Sequence, residues 1–136
     1  HFDGGVVNKR AVWSFVAYLN EEKVTIQKGK AYEELLQTNN VAEWLGLVYS
    51  LQYVSNRIEF EDFDSLHTIE IYGDSQLVVK QFNKEYAVVQ THLKPLFAIA
   101  RSIFQDITSK GISVSVNWVP REKNALADRI GKNWEE

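Results

Sequence analysis

The sequence has no cysteine and only two prolines, Pro95 and Pro120, which lie far apart. Without cysteine, a disulfide framework and a thiolate metal site are both excluded. Any metal must then be held by oxygen or imidazole ligands, which favours hard cations such as Mg²⁺. The chain also has no repeat, no low-complexity stretch and no linker rich in proline, glycine and serine, so we expect one domain over residues 1–136.

Long apolar runs are missing as well. No segment approaches the roughly 18 apolar residues of a membrane span, and the N-terminus lacks the charged-then-apolar layout of a signal peptide. Hydrophobic residues make up 45% and charged residues 24% of the chain, as in ordinary globular proteins. We expect a cytoplasmic protein with no membrane partner, and a monomer. The sequence begins His1-Phe2, which we interpret as a trimmed chain or a piece of a larger polypeptide.

The chain also lacks an excess of basic residues. The formal net charge is -3 and the isoelectric point is near 5.7. Proteins that bind nucleic acid normally carry a basic surface, so the charge taken alone argues against such a partner. That argument weakens if several acids are metal ligands, because bound divalent ions would make the local charge positive.

The first part of the chain has the pattern of an antiparallel meander of three strands. Phe2 leads into Asp3-Gly4-Gly5, and apolar alternation predicts further strands over Val12–Leu19 and Lys23–Tyr32. Polar breaks at residues 8–10 and 20–22 separate the strands. The rest predicts helices over Asn40–Ile58, Ser75–Phe82, Thr91–Thr108 and Asn124–Trp134, strands over His67–Tyr72 and Ile112–Val119, and a turn at Pro120–Lys123. This order favours an α/β fold with a mixed sheet and helices on its faces.

Four acids lie where the predicted elements begin or end. They are Asp3, Glu43, Asp74 and Asp128. If the strands that end at Asp3 and Asp74 are parallel neighbours, both carboxylates emerge at the sheet edge where open α/β sheets bind ligands. Oxygen ligands from several elements are what two-metal phosphodiester chemistry requires, with divalent ions roughly 3.5–4 Å apart. No cysteine nucleophile, G-x-S-x-G segment or P-loop offers another mechanism.

Each acid also has a purely structural interpretation. Glu43 follows Asn40 by three residues and could complete a capping box, with residues 38–40 as caps. Asp74 could cap the helix that starts at Ser75. Asp128 could be a solvated acid paired with a neighbouring base, and Asp3 could be a turn residue before two glycines.

Four segments in this order resemble the motifs of type 1 ribonucleases H. They are Phe2-Asp3-Gly4-Gly5, the run from Thr38 to Glu43, the run from Tyr72 to Val79, and the run from Trp118 to Asp128. The resemblance covers nearly the whole chain and implies the ribonuclease H-like fold, a five-stranded mixed sheet whose first three strands are antiparallel. It implies a metal-dependent endonuclease that cuts the RNA strand of an RNA/DNA hybrid, with two Mg²⁺ ions or Mn²⁺, and leaves 5′-phosphate and 3′-hydroxyl ends.

By the same resemblance, Asp3, Glu43, Asp74 and Asp128 are the catalytic, metal-binding acids. The residues that would contact the hybrid are Gly4, Thr38, Asn39, Asn40, Gln76 and Arg121. Reading 2′-hydroxyls across a wide, shallow minor groove is the physical way to distinguish RNA from DNA. Asn39 and Asn40 could equally be helix-capping residues.

The chain departs from the family in three places. The loop after the first acid is short and lacks the Asn-Pro-Gly turn of many members, which puts the contacts of that turn in doubt. Only residues 83–86 stand where other members carry a basic, tryptophan-containing protrusion, so this is a short form and hybrid binding should be weaker. The loop before the last acid has no histidine; Arg121 is the nearest residue that could replace it, or it is a plain surface base.

Two other functions remain open from the sequence. Resolvases, transposases and exonucleases share this layout of acids on a similar sheet, so the substrate could be DNA. A non-catalytic domain of the same fold within a larger protein is the second alternative. All four acids are present, whereas a decayed site usually loses one or more of them.

Overall fold

A five-stranded mixed sheet with helices on both faces forms the core of the computed structural model, which describes residues 1–60 and 68–132. The strands are β1 (Phe2–Val7), β2 (Arg10–Leu19), β3 (Glu22–Lys30), β4 (Thr68–Gly73) and β5 (Ser113–Trp118). The helices are α1 (Asn39–Phe60), α2 (Gln76–Phe82), α3 (Lys94–Thr108) and α4 (Ala125–Lys132), with 3₁₀ turns at Thr91–Leu93 and Arg121–Asn124. The predicted order of elements is confirmed.

The sheet order is β3-β2-β1-β4-β5. β1 to β3 form the predicted antiparallel meander, and β4 is parallel to both β1 and β5. Two tight turns make the meander possible, because Asn8 and Lys9 have φ of 52° and 63°, and Asn20 and Glu21 have φ of 52° and 69°. Two successive residues with positive φ are typical of the hairpin turn whose twist matches that of the strands.

Several predicted boundaries were wrong. β1 does not end at Asp3 but continues through Gly4 and Gly5 to Val7, so Asp3 is not a turn residue. β3 spans Glu22–Lys30 rather than Lys23–Tyr32, and α3 begins at Lys94 after a 3₁₀ turn. The predicted turn at residues 120–123 is a 3₁₀ turn over Arg121–Asn124. The predicted positions of His67 and of the end of the last helix at Trp134 lie outside the described residues.

The two faces of the sheet carry different helices. Trp13 and Phe15 of β2 face α1, where their rings pack on Tyr49 and Tyr53 at centroid distances of 4.1 and 5.6 Å. Ser14 faces the opposite side and donates a buried hydrogen bond of 2.6 Å to the carbonyl of Ala127 in α4. Within residues 1–60 and 68–132, no helix combines the length and the apolar character needed to cross a bilayer.

Candidate active site

Three of the four predicted acids converge at one edge of the sheet. Asp3, Glu43 and Asp74 each offer a carboxylate oxygen, and these oxygens all lie within 4.8 Å of one another. The parallel pairing of β1 with β4 places Phe2 opposite Gly73, so Asp3 and Asp74 follow paired positions on neighbouring strands. The fourth acid, Asp128 of α4, joins the cluster through a side-chain hydrogen bond with Asp3.

Close packing of α1 on β1 brings Glu43 to this cluster. A Cβ atom on Gly4 would lie 2.2 Å from the carbonyl carbon of Ala42, and one on Gly46 would lie 2.7 Å from the carbonyl oxygen of Asp3. Any side chain larger than hydrogen at these two positions would push the helix away from the strand. Gly4 therefore has a packing role, and its predicted contact with substrate stays a prediction.

The local structure also decides between the alternatives for Glu43 and Asp74. The hydroxyl of Thr38 accepts a hydrogen bond of 3.2 Å from the amide of Val41, which makes Thr38 the cap of α1 and excludes a capping box between Asn40 and Glu43. Ser75, not Asp74, caps α2, because its hydroxyl accepts a hydrogen bond from the amide of Val78. Neither acid is placed at the cluster by a capping function.

The environment of the cluster changes the pKa of Asp3. Burial raises the pKa of Asp3 to about 7, with further contributions from the hydrogen bond with Asp128 and the charges of Asp74 and Asp128. Asp3 is 3% exposed, so solvent does little to relieve this repulsion. Within the described residues the buried Oδ2 of Asp74 accepts no hydrogen bond, and the guanidinium Nε of Arg121 lies 3.9 Å away from it.

This donor set fits a divalent cation. In an octahedral Mg²⁺ site with bonds of about 2.1 Å, the ligand oxygens are about 3–4 Å apart. The carboxylate oxygens here lie within 4.8 Å of one another, so a small contraction of the cluster would allow all three acids to bind one ion. A cation between the acids would also offset the burial and the neighbouring negative charges that raise the pKa of Asp3. Among residues 1–60 and 68–132 the cluster contains carboxylates and neither cysteine nor histidine, which favours a hard ion over zinc or copper.

Most of the predicted substrate-contact residues lie within a few residues of Glu43 or Asp74 in the chain. Thr38, Asn39 and Gln76 are exposed and Asn40 is half-buried, at the starts of α1 and α2 that flank Glu43 and Asp74. Arg121 is 75% exposed and sits at the mouth of the cluster beside Asp74. The contacts of these residues with a substrate stay predictions.

Two positioning residues were missed from the sequence. Asn124, which is 1% exposed, donates a hydrogen bond of 2.8 Å to the carbonyl of Phe2 and so ties the start of α4 to β1 beside Asp3. Trp118 donates from its indole nitrogen to the carbonyl of Asp74 at 3.2 Å. Both lie in the segment from Trp118 to Asp128, but nothing in their spacing indicates these distant partners.

Comparisons with known proteins agree with this geometry. The reverse transcriptase-like family matches residues 1–133. The "Bifunctional protein Rv2228c" of Mycobacterium tuberculosis is 33% identical over 98 residues, which are 71% of this chain and 23% of that protein. The chain thus spans about a quarter of the length of the curated relatives it matches.

Solved structures show the same fold. LC11-RNase H1, isolated from compost, superposes with a TM-score of 0.78 at 26% identity, covering 95% of this chain and 88% of that one. RNase H1 of the archaeon Halobacterium salinarum gives a TM-score of 0.71 at 27% identity, with 94% and 89% covered. The N-terminal RNase H domain of Rv2228c gives 0.74 at 24% identity, with 96% and 86% covered. The chain therefore belongs to the reverse transcriptase-like family and has the fold of the type 1 ribonucleases H, as its sequence motifs predicted.

Proposed function

We propose that this protein is a ribonuclease H, a metal-dependent endonuclease that hydrolyses the RNA strand of RNA/DNA hybrids. The observation that carries the proposal is the cluster of Asp3, Glu43 and Asp74, whose carboxylate oxygens lie within 4.8 Å of one another, with Asp128 hydrogen-bonded to Asp3. Its family and its ribonuclease H1 neighbours support the same function. We interpret the chain as part of a larger polypeptide, as the matching region is in its bifunctional relative.

The four acids would hold two divalent ions, Mg²⁺ or Mn²⁺. When bound, such a pair lowers the pKa of the attacking water and stabilises the leaving 3′ oxygen, which leaves 5′-phosphate and 3′-hydroxyl ends. The residues of the chain supply the geometry. Asp3 and Asp74 extend from neighbouring strands, while Asn124 and Ser14 fix α4, and with it Asp128, against β1 and β2.

A hybrid substrate is supported by the residues that surround the cluster. LC11-RNase H1 has also been solved in complex with an RNA/DNA hybrid, and that structure superposes on this chain with a TM-score of 0.77. Asn39 and Gln76 are exposed amides at the starts of α1 and α2, on the two helices adjacent to the acids. Amide side chains can donate hydrogen bonds to 2′-hydroxyl groups in a minor groove and accept hydrogen bonds from them. Duplex DNA has no 2′-hydroxyl groups, so such contacts distinguish a hybrid from it.

Binding should be weak. Between α2 and the 3₁₀ turn at Thr91, residues 83–90 form no helix, so the described structure has no basic protrusion there. Lys80 and Lys84 are the bases of this region, and the ammonium group of Lys80 packs over the ring of Tyr86 at 5.0 Å. With a net charge of -3, the protein can neutralise few phosphates, and each phosphate contact contributes to affinity in a salt-dependent way.

A substrate panel tests the proposal. The protein is incubated with Mg²⁺ and one of four end-labelled substrates of the same sequence: RNA/DNA hybrid, duplex DNA, duplex RNA and single-stranded RNA. We expect cleavage of the RNA strand of the hybrid alone. Preferential cleavage of duplex DNA would favour a DNA nuclease of the same fold, and no cleavage of any substrate with Mg²⁺ or Mn²⁺ would indicate a non-catalytic domain. The Asp74→Asn variant is the matched control for contaminating nucleases.

A further inference from the structure

The side chain of Gln37 is hydrogen-bonded to three backbone groups, directly before residues 38–40, which are predicted to contact a hybrid. We call residues 38–40 the contact segment. The Oε1 atom of Gln37 accepts a hydrogen bond of 2.7 Å from the amide of Ala11 in β2. Its Nε2 atom donates hydrogen bonds of 2.9 and 2.8 Å to the carbonyls of Tyr32 and Leu35. One carboxamide therefore joins β2, the loop that follows β3 and the chain that enters the contact segment.

Gln37 replaces the last backbone hydrogen bond of the ladder between β2 and β3. β3 ends at Lys30, and the register continued by one residue places Ala31 opposite Ala11. The amide of Ala31 donates to the carbonyl of Ala11 at 2.9 Å, and in a regular antiparallel pair the reverse bond would accompany it. Instead the amide of Ala11 donates to Gln37, so the carboxamide occupies the end of the ladder. The carbonyl of Ala31 accepts hydrogen bonds of 2.8 and 2.6 Å from the guanidinium group of Arg10, which fixes the start of the loop separately.

These three contacts require a carboxamide. The amide of Ala11 needs an acceptor, the carbonyls of Tyr32 and Leu35 need a donor, and a glutamine side chain has both at one end. A glutamate would place a carboxylate against two carbonyl oxygens, and a lysine would offer no acceptor. A methionine would keep the length of the side chain but lose all three hydrogen bonds. The chemistry of the side chain at Gln37, rather than its volume, therefore holds the loop against β2.

The contact segment lies outside the packed part of α1. Val41 and Ala42 are 1% and 0% exposed, so the buried part of the helix begins there. Thr38 and Asn39, which precede them, are exposed and gain little from packing. The first turn of a helix frays unless it is capped or the chain before it is held. Thr38 supplies the cap, and Gln37 holds the chain directly before it.

We propose that Gln37 is a positioning residue for substrate binding, whose carboxamide fixes the contact segment relative to the acidic cluster. The segment lies between two anchors, which are Gln37 on β2 and the buried turn of α1 that carries Glu43. Amide side chains recognise 2′-hydroxyl groups only when they are held at hydrogen-bonding distance, so a mobile segment would bind a hybrid less tightly. The inference rests on the proposed function, because the hybrid contacts of the segment are part of it.

Steady-state cleavage of a hybrid separates this role from general support of the fold. The Gln37→Met variant keeps the size of the side chain and removes its hydrogen bonds, and Gln37→Ala removes both. We expect each variant to raise KM about three- to tenfold and to keep kcat within about twofold of the wild type, because contacts made equally in the ground and transition states contribute uniform binding. A variant that is only destabilised would contain less active protein, which lowers the apparent kcat and leaves KM unchanged.

The Gln52→Ala variant is the matched control. Gln52 is an exposed glutamine within α1, and its carboxamide donates a hydrogen bond of 2.9 Å to the side chain of Asn56. The substitution removes the same chemical group as Gln37→Ala but leaves the loop and the contact segment attached to β2. We expect the control to keep the KM and kcat of the wild type. All proteins are assayed at a temperature at which circular dichroism shows each of them folded.

Hydrogen exchange measures the attachment of the loop directly. We expect the amide of Ala11 to exchange about tenfold faster in Gln37→Met than in the wild type, because its acceptor is lost. A Gln37→Met variant with the KM of the wild type, or an Ala11 amide whose exchange is unchanged, would overturn the inference and leave the proposed function intact. A wild-type protein that cleaves no hybrid would instead refute the proposed function, and this inference with it.

Discussion

The Asp3→Asn variant should make the metal-free protein more stable at neutral and alkaline pH. Asp3 is buried, lies against Asp128 and Asp74, and has its pKa raised from 3.8 to about 7. Asparagine has nearly the same shape and keeps a hydrogen-bonding side chain for Asp128, but it has no charge to desolvate. The substitution therefore removes the cost of ionising Asp3 in the folded state and little else.

The size of this effect depends on pH in a defined direction. Between pH 3.8 and 7 the folded state binds more protons at Asp3 than the unfolded state, so this carboxyl lowers stability as pH rises through that range. At about 1.4 kcal/mol per pKa unit, the cost is about 1–2 kcal/mol at pH 5 and approaches about 4 kcal/mol at pH 8. We expect the advantage of Asp3→Asn to grow by about 2–3 kcal/mol between these two pH values.

Urea denaturation in the presence of EDTA measures the effect. Both proteins are unfolded at pH 5 and pH 8, and the difference between their free energies of unfolding is compared at each pH. The buried His1 amino group acts in the opposite direction, because a base with a lowered pKa gains stability as pH rises from about 6 to 8. Its contribution is present in both proteins and cancels in the difference.

Two outcomes would contradict the raised pKa of Asp3. A stability difference that is the same at pH 5 and pH 8 would show that Asp3 is not the group that titrates. A variant less stable than the wild type at pH 8 in EDTA would show that ionised Asp3 does not destabilise the folded state. Saturating Mg²⁺ is the control, since a bound cation favours the ionised carboxylate and should abolish the advantage of the variant.

The other predictions concern catalysis, packing and binding. Asp74→Asn should lower hybrid cleavage by more than about 100-fold, the upper range for residues that only support metal ligands, while circular dichroism shows an unchanged fold. Gly4→Ala should lower the free energy of unfolding by about 1–3 kcal/mol or more in urea denaturation, because its Cβ would meet the backbone of α1 at 2.2 Å. Lys80→Glu or Lys84→Glu should raise KM more than it lowers kcat in steady-state assays, and the salt dependence of binding should correspond to about two to four phosphate contacts.

The fold could largely be predicted because its signals are local. Alternating apolar residues in β2, helical spacing in α1 and α3, and polar turn residues at Asn8 and Asn20 each depend on neighbours in the sequence. The predicted end of β1 at Asp3 was wrong for a physical reason. Two consecutive glycines are typical of a turn, but Gly4 lies within a strand because the backbone of α1 passes directly against it.

The candidate site could be predicted in part. The four acids lie at recognisable positions in the motifs, and the structure brings them together. The residues that fix them could not be found in this way, because Asn124 bonds to a carbonyl 122 residues away and Ser14 to one 113 residues away. Such pairings depend on tertiary packing, which composition and periodicity do not encode.

The proposed function requires that this acidic cluster bind divalent ions and that the protein then hydrolyse the RNA strand of a hybrid. The most direct measurement is a single-turnover assay on a hybrid with a labelled RNA strand, in which Mg²⁺ or Mn²⁺ is titrated and the product ends are mapped. We expect no cleavage in EDTA, a rate that rises with metal concentration, and products with 5′-phosphate and 3′-hydroxyl ends. Cleavage that persists in EDTA, or 2′,3′-cyclic phosphate ends, would rule out the proposed metal-dependent hydrolysis.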